Sequence, residues 1–221
     1  MYLLFDIGGT KTRVAVSKNG RRPEKVVVFQ TPKNATIGVR IISETARKLT
    51  GGKRIKAVVG GLAGSFDRRK TTIVGGGSNI QGWVGRDLKK LFWKKFRAPI
   101  FLENDAALAG LAEAVRGAGK GKEIVAYITV GTGVGGARIV NGAIDANAMG
   151  FEPAYQIIDA DGTMIPGHRR LGRYISGAAL EERYGKAPAE IKDPAIQEKL
   201  SLWLAIGLNN MIVHWSPDVV V

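Results

Sequence analysis

Apolar positions near the start of the chain fall in short runs split by turn residues, and the first helical period appears only after three such runs. Residues 2–5 are apolar and end in Asp6; Ile7-Gly8-Gly9-Thr10 follows, and residues 12–17 form a second run. This predicts a hairpin with a glycine turn. Asn19-Gly20 leads to a third predicted strand at 26–29. Residues 35–49 then space Ile37, Ile41, Ile42, Ala46 and Leu49 as on one helix face, and Gly51-Gly52 stops them. A strand at 55–59 is followed by a glycine-rich loop, 60–64 and 75–77, broken by a basic turn at 67–70. A basic amphipathic helix is predicted over 86–96, ended by Pro99. An apolar strand from Phe101 then feeds a helix running from Asp105 to about residue 116.

Residues 116–122, RGAGKGK, form a Gly and Lys linker and the best boundary candidate, dividing the chain into domains 1–118 and 119–221. After it the pattern begins again. An apolar strand at 124–130, a second glycine turn at 131–136, a strand at 137–140 and the turn Asn141-Gly142 repeat the opening order. A long helix is expected over 193–215, with Leu200, Leu204, Leu208 and Met211 on one stripe, and Pro217-Asp218 then starts a strand in which the chain stops. An apolar terminal strand without cover is an exposed sticky surface, so the expectation is a fragment of a longer chain rather than a degenerate short form.

Composition narrows the class. The chain has 221 residues, 45% of them apolar and 24% charged, which is ordinary for a globular protein of one large or two small domains. With no cysteine, disulfides and thiolate-rich structural zinc sites are excluded. The start runs directly into a strand without a leader, and no stretch approaches the ~20 apolar residues of a membrane helix, so a cytoplasmic protein without membrane association is expected. A net charge of +14 raises nucleic acid as a partner. The cations are scattered in short clusters on turns and helix faces, without regular interleaving of aromatics. The expectation is therefore no specific nucleic-acid partner, with weak, salt-sensitive polyanion binding left open.

Two patterns carry candidate chemistry. The stretch FLEND, 101–105, delivers the carboxylate of Asp105 at a strand end, where it is expected to cap the following helix; alone, that is an ordinary N-cap. The duplicated glycine turns, one in each half, suit a phosphate chain, because glycine lets backbone N–H groups approach anionic oxygens. Neither is a Walker A loop or a dinucleotide fingerprint, and each taken singly reads more readily as a hairpin turn.

Five stretches in order, DIGGTK at 6–11, GGGSNIQGW at 75–83, FLENDAALAGLAEA at 101–114, ITVGTGVGG at 128–136 and YISGAALEE at 174–182, make the chain similar to the ROK family of sugar kinases and repressors. The resemblance implies the actin-like, hexokinase-like ATPase fold: two ribonuclease-H-like domains with a cleft between them, the second incomplete. It implies ATP-dependent phosphorylation of a hexose or N-acetylhexosamine hydroxyl, glucokinase-like, with ATP and Mg2+ and no structural zinc. Asp105 would take the proton from the sugar hydroxyl. Asn79, Asn104 and Glu152 would hold sugar hydroxyls, and Tyr155 could donate one more hydrogen bond. Asp6 would orient magnesium through water. Gly8, Gly9, Thr10 and Lys11, with Thr132, Gly133, Gly135 and Gly136, would hold the phosphates.

Departures from the family pattern lie on the sugar side. Ala154-Tyr155 stands where relatives have Gly-His, the expected cysteine cluster at 163–171 has no cysteine and a lone His168, and Gly172 stands where a sugar-contacting glutamate is expected. Arg169, Arg170 and Arg173 are candidates to replace the missing contacts locally. The alternatives are a non-catalytic sugar or nucleotide binder and a repressor, the latter needing a winged helix before Met1. The expected partner is a small-molecule sugar, and a homodimer is left open.

Overall fold

The structure, a computed structural model, describes residues 1–75 and 78–221, and the side chains of Ser78 and Asn79 also lie outside the description. The chain separates into two compact units, Met1–Leu108 with Asn147–Gly150, and Ala109–Ala146 with Phe151–Val221. The division falls within the helix that starts at Asp105, upstream of the RGAGKGK run.

Unit 1 opens with β1 (Tyr2–Ile7), β2 (Lys11–Ser17) and β3 (Val27–Gln30), an antiparallel meander, followed by α1 (Ala35–Thr50) and β4 (Ala57–Leu62). A short hairpin of β5 (Ser65–Phe66) and β6 (Ile73–Gly75) and a 3-10 segment, Ser78–Trp83, precede α2 (Leu88–Phe96), β7 (Ile100–Asn104) and α3 (Asp105–Arg116). The main sheet has the order β3-β2-β1-β4-β7, with β1, β4 and β7 parallel. Helix α1 begins where predicted because Asn34 caps it, its Oδ1 accepting from Thr36 and Ile37 N–H, and ends at Gly51 in the left-handed conformation.

The glycine-rich loop predicted after residue 59 is partly strand. Gly60 and Gly61 lie inside β4, paired on one side with Phe5 and Asp6 and on the other with Leu102 and Glu103. Consecutive strand residues face opposite sides of the sheet. A Cβ on Gly60 would lie 2.0 Å from the Phe5 ring, which stacks on Phe92 of α2 at 4.6 Å. A Cβ on Gly61 would meet Leu108 Cδ1 at 3.3 Å, the Asp105 backbone at 3.5 Å and the Asp105 Cβ at 3.8 Å. Trp83 is fully buried, donates its indole N–H to the Pro32 carbonyl at 2.8 Å and crowds Gly38 of α1, so the end of the SNIQGW stretch is anchored in the core.

Unit 2 repeats the plan with β8 (Ile124–Val130), β9 (Val134–Val140), β10 (Ala143–Ile144) and β11 (Val219–Val220), in the order β10-β9-β8-β11. As in unit 1, the hairpin is antiparallel and the fourth strand joins parallel to the first, β11 to β8. Helices α4 (Leu171–Ile175), α5 (Gly177–Tyr184) and α6 (Pro194–Trp215) fill the crossover, with Asp193 capping α6 and Pro194 at its first position. Gly135 and Gly136 are residues of β9, so the second glycine turn is confined to 131–133. Among the described residues, no helix is long and apolar enough to cross a membrane.

Gly60→Ala is expected to destabilise unit 1 by about 1–3 kcal/mol or more, because its methyl group meets a ring held on both sides. Gly61→Ala is expected to cost less than about 1 kcal/mol, since a leucine end can rotate away. Urea titration of both variants, followed by circular dichroism, checks the difference.

Candidate active site

Ile7, Leu62 and Asn104 are register partners across β1, β4 and β7, so the three parallel strands end together. Ligands of parallel α/β sheets bind outside this carboxyl edge, and Asp105 is the first residue beyond it. The expectation that Asp105 caps α3 is corrected. Asn104 caps it: its Oδ1 accepts the Ala107 N–H at 2.9 Å and its Nδ2 donates to the Gly64 carbonyl at 3.1 Å. Because β7 runs to Asn104 and α3 starts at Asp105, the capping position belongs to Asn104.

Asp105 is thereby released from a structural task. Its Oδ1 accepts the Ala106 N–H at 2.9 Å, and the residue's own backbone N–H also faces the carboxylate. Burial raises its pKa above the ordinary carboxylate value and the Asp6 carboxylate adds to the rise, against the Ala106 N–H, which lowers it. Asp6 is itself paired with Arg13, its register partner on β2, at 2.7 Å. The preceding Glu103 accepts from Lys70 Nζ at 2.7 Å and from the Asn104 N–H at 2.8 Å, fixing the approach to the turn.

The turn at 8–10 closes with the Gly8 N–H on the Lys11 carbonyl at 3.0 Å. Thr31 braces it from β3's end: its hydroxyl donates to the Gly8 carbonyl at 2.7 Å and its N–H donates to the Thr10 carbonyl at 2.9 Å. Nothing in the sequence singled out Thr31, because a threonine beyond a strand carries no local signal.

The corresponding turn of unit 2 is held by α5. The Gly177 N–H donates to the Gly131 carbonyl at 2.7 Å and the Ala178 N–H to the Thr132 carbonyl at 3.1 Å, while Ser176 caps the helix. Gly131 and Gly133 have no left-handed φ, and a Cβ on either would meet nothing within 4 Å. Packing does not require glycine there; open space over the backbone is what a closely approaching anion needs. Gly136 differs, since a Cβ there would lie 2.7 Å from Pro153. Beside the turn is a pocket of about 500 Å3, lined among others by Val130, Thr132, Ala178, Gln197, Leu200 and Leu204.

Residues 2–221 match the model of the ROK family. The chain belongs to the ROK family. It is 32% identical over 213 residues to the glucokinase of Streptomyces coelicolor, an alignment covering 91% of this chain and 63% of that one. It is 31% identical over 178 residues to the xylose repressor of Bacillus subtilis, covering 72% of this chain and 46% of that one. Among solved structures, the ROK hexokinase of Thermus thermophilus superposes with a TM-score of 0.80 at 27% identity, covering 99% of this chain and 80% of that chain. The ROK glucokinase of Streptomyces griseus in complex with glucose and AMPPNP superposes with a TM-score of 0.80 at 25% identity, covering 99% and 81%. The fold is the actin-like, hexokinase-like ATPase fold, and the chain spans less than two thirds of the length of the Streptomyces coelicolor glucokinase.

Two departures from the ROK motifs touch one another. A side chain at Gly172 would begin 3.1 Å from the Ala154 Cβ. Glu152 leads into the short 3-10 turn Pro153–Tyr155, and Tyr155 is exposed under the Arg170 guanidinium, 5.1 Å from its ring centre. Arg173 pairs instead with Glu182 at 2.9 Å. The stretch lacking cysteines is held by Asp159, which accepts from the Gly162 and Met164 N–H groups and from the buried Tyr174 hydroxyl at 2.7 Å. The side chain of Asn79 lies outside the described residues.

Asn104→Ala is expected to cost about 1–2 kcal/mol through the lost cap. Asp105→Asn is expected to raise stability at neutral pH: a raised folded pKa means the group's contribution is fully present below about pH 4 and is lost as pH rises through the folded value. Chemical denaturation at pH 7 checks both.

The Tyr174 hydroxyl hydrogen bond holds the Asp159 pKa down, while burial, then Asp159, pushes Tyr174 up to about 12. The Asp159 contribution is present above about pH 4 and is lost as pH falls; that of Tyr174 is present below about pH 10 and is lost on the way to pH 12. Tyr174→Phe should weaken the acid-side loss and remove this residue's share of the alkaline one, as read from urea midpoints across pH.

Proposed function

We propose that the chain is an ATP-dependent sugar kinase, glucokinase-like, that transfers the γ-phosphoryl group of ATP to a hydroxyl of a hexose or N-acetylhexosamine. The observation that carries this reading is Asp105: a half-buried carboxylate with a raised pKa, without a cationic partner among the described residues, at the carboxyl edge of β1, β4 and β7. As the base, it accepts the proton of the attacking hydroxyl while the new P–O bond forms and the bond to the β-phosphate oxygen breaks, releasing ADP. Phosphoryl transfer asks little more of the protein than positioning and charge neutralisation.

Asn104 keeps one N–H and one lone pair for a sugar hydroxyl after its cap and its Gly64 bond, because an amide has two of each. Asn79, Glu152 and Tyr155 are proposed to make the remaining sugar contacts. Gly8, Gly9, Thr10 and Lys11 in unit 1, and Thr132, Gly133, Gly135 and Gly136 in unit 2, are proposed to hold phosphates. The pocket beside Thr132, mostly apolar with Gln197 and Ser201, suits the base of the nucleotide. Among the described residues, no three acidic or histidine side chains gather as a metal cage. Magnesium bound through ATP phosphates needs only one or two carboxylates, so Asp6 acting through water fits; the ion would neutralise phosphate charge.

A second reading, sugar or nucleotide binding without turnover, draws on Ala154 and Gly172 in the sugar wall and on the xylose repressor among the relatives. A coupled ADP-release assay over hexoses and N-acetylhexosamines with magnesium ATP separates the two. Turnover is expected, reduced about 100- to 10,000-fold by Asp105→Asn. The acid limb of kcat/KM should lie above the ordinary aspartate range, since the base is lost as pH falls through its raised pKa. Sugar binding without ADP release sinks the kinase reading, and turnover unchanged by the substitution sinks the base assignment.

A further inference from the structure

Helix α2 carries a surface that the kinase reading does not use. Its apolar side is spent inside unit 1, where Leu88 and Phe92 are fully buried. Its outer side holds Lys89, Lys90, Lys94 and Lys95, with Arg86 before it and Arg97 after it. Among the described residues, no carboxylate forms an ion pair with any of these six cations. The one acid in the segment, Asp87, is occupied as the N-cap, accepting the Lys90 N–H at 2.8 Å. Trp93 is 47% exposed with the Arg97 guanidinium 4.2 Å from its ring centre. Beside it runs an open groove of about 550 Å3 lined by Thr71, Asp87, Lys89, Lys90, Trp93 and Arg97, with Pro99 below. Thr71 is tied to the helix through the Leu88 N–H, and its turn also carries the exposed Arg68 and Arg69.

We propose that this groove binds single-stranded nucleic acid, without sequence preference. The rim carries three cations, Lys89, Lys90 and Arg97, against the one carboxylate of Asp87, which is engaged as the N-cap, and the exposed Trp93 and Pro99 form an apolar floor over the buried Ala98 and Ile100. A polymer that alternates phosphates with planar bases meets both features: phosphates on the lysines, a base stacked against the Trp93–Arg97 pair. An acidic peptide satisfies the rim and leaves the floor uncovered. An anionic bilayer requires a helix with an apolar face to insert, and the apolar face of α2 is in the core. The net charge of +14 adds long-range attraction for the same class of partner.

The test is fluorescence anisotropy of a short fluorescein-labelled oligothymidylate titrated with the full chain at about 50 and about 200 mM salt. Binding should weaken steeply with salt. Lys89→Ala and Lys90→Ala should each lower the log–log salt slope by about one, as expected of a lost phosphate contact. Trp93→Ala should weaken binding about tenfold with the slope unchanged, and Trp93→Phe should recover part of the loss. Lys186→Ala, an exposed lysine of unit 2, should change nothing. Melting curves establish that each variant is folded. The proposal is overturned by absence of binding at low salt or by affinity indifferent to Trp93 and to both lysines. It is equally overturned if polyglutamate or inorganic polyphosphate of matched charge displaces the oligonucleotide as well as unlabelled oligothymidylate does.

Discussion

Unit 1 is built around the absence of two side chains on its middle strand. At Gly60 the sheet surface is low enough for the Phe5 ring to lie across it and stack on Phe92, which brings α2 down onto one face. At Gly61, on the opposite face, the start of α3 comes close enough for the Asp105 backbone and Leu108 to fill the space a side chain would take. The same dipeptide thus closes the core below and sets the height of the candidate base above. Glycine weakens a strand by lost entropy and missing contacts, a cost set here against a close approach at Gly60 that no larger residue permits and a looser one at Gly61.

Periodicity made most of the secondary structure legible. Apolar runs and turn residues located the meander, α1, the two hairpins and α6, because those elements bury one face and advertise it. The two glycine pairs were misread as loop and turn, since β4 and β9 hold Gly60, Gly61, Gly135 and Gly136 through backbone pairing that leaves no trace in side-chain pattern. The hairpin β5–β6 was missed within the same glycine-rich stretch, although Thr71 to Val74 is rich in β-branched residues. Each miss has one physical cause: tertiary pairing decided the conformation where local propensity was weak.

At the candidate site, Asp105 stood out from its motif, but its division of labour with Asn104 did not. Both residue types cap helices, and only the end of β7 assigns the cap to Asn104. That assignment matters for chemistry. A carboxylate engaged at an N-cap is stabilised in its charged form and becomes a weaker base, whereas Asp105, relieved of the cap and half-buried, is pushed the other way. Thr31 was silent in sequence, and Ser176-Gly177-Ala178 stood inside the YISGAALEE stretch without its bracing task being legible, because both act through contacts made only after folding.

The two units share a hairpin, a glycine turn and a parallel fourth strand, yet their later segments diverge, and the divergence is internally consistent. In unit 2 the residues that depart from the ROK motifs at 154 and 172 are neighbours, with the alanine methyl group occupying the approach to Gly172. A side chain placed at 172 would begin 3.1 Å from that methyl group, close enough that one of the two must shift by a few tenths of an ångström. Positions 154 and 172 are therefore in contact, so a side chain added at 172 is felt at 154. Nearby, the Asp159–Tyr174 hydrogen bond organises the stretch from 159 to 174 by a buried polar contact, which fixes the segment leading into α4 without any covalent or metal cross-link from cysteine, a residue this chain does not contain.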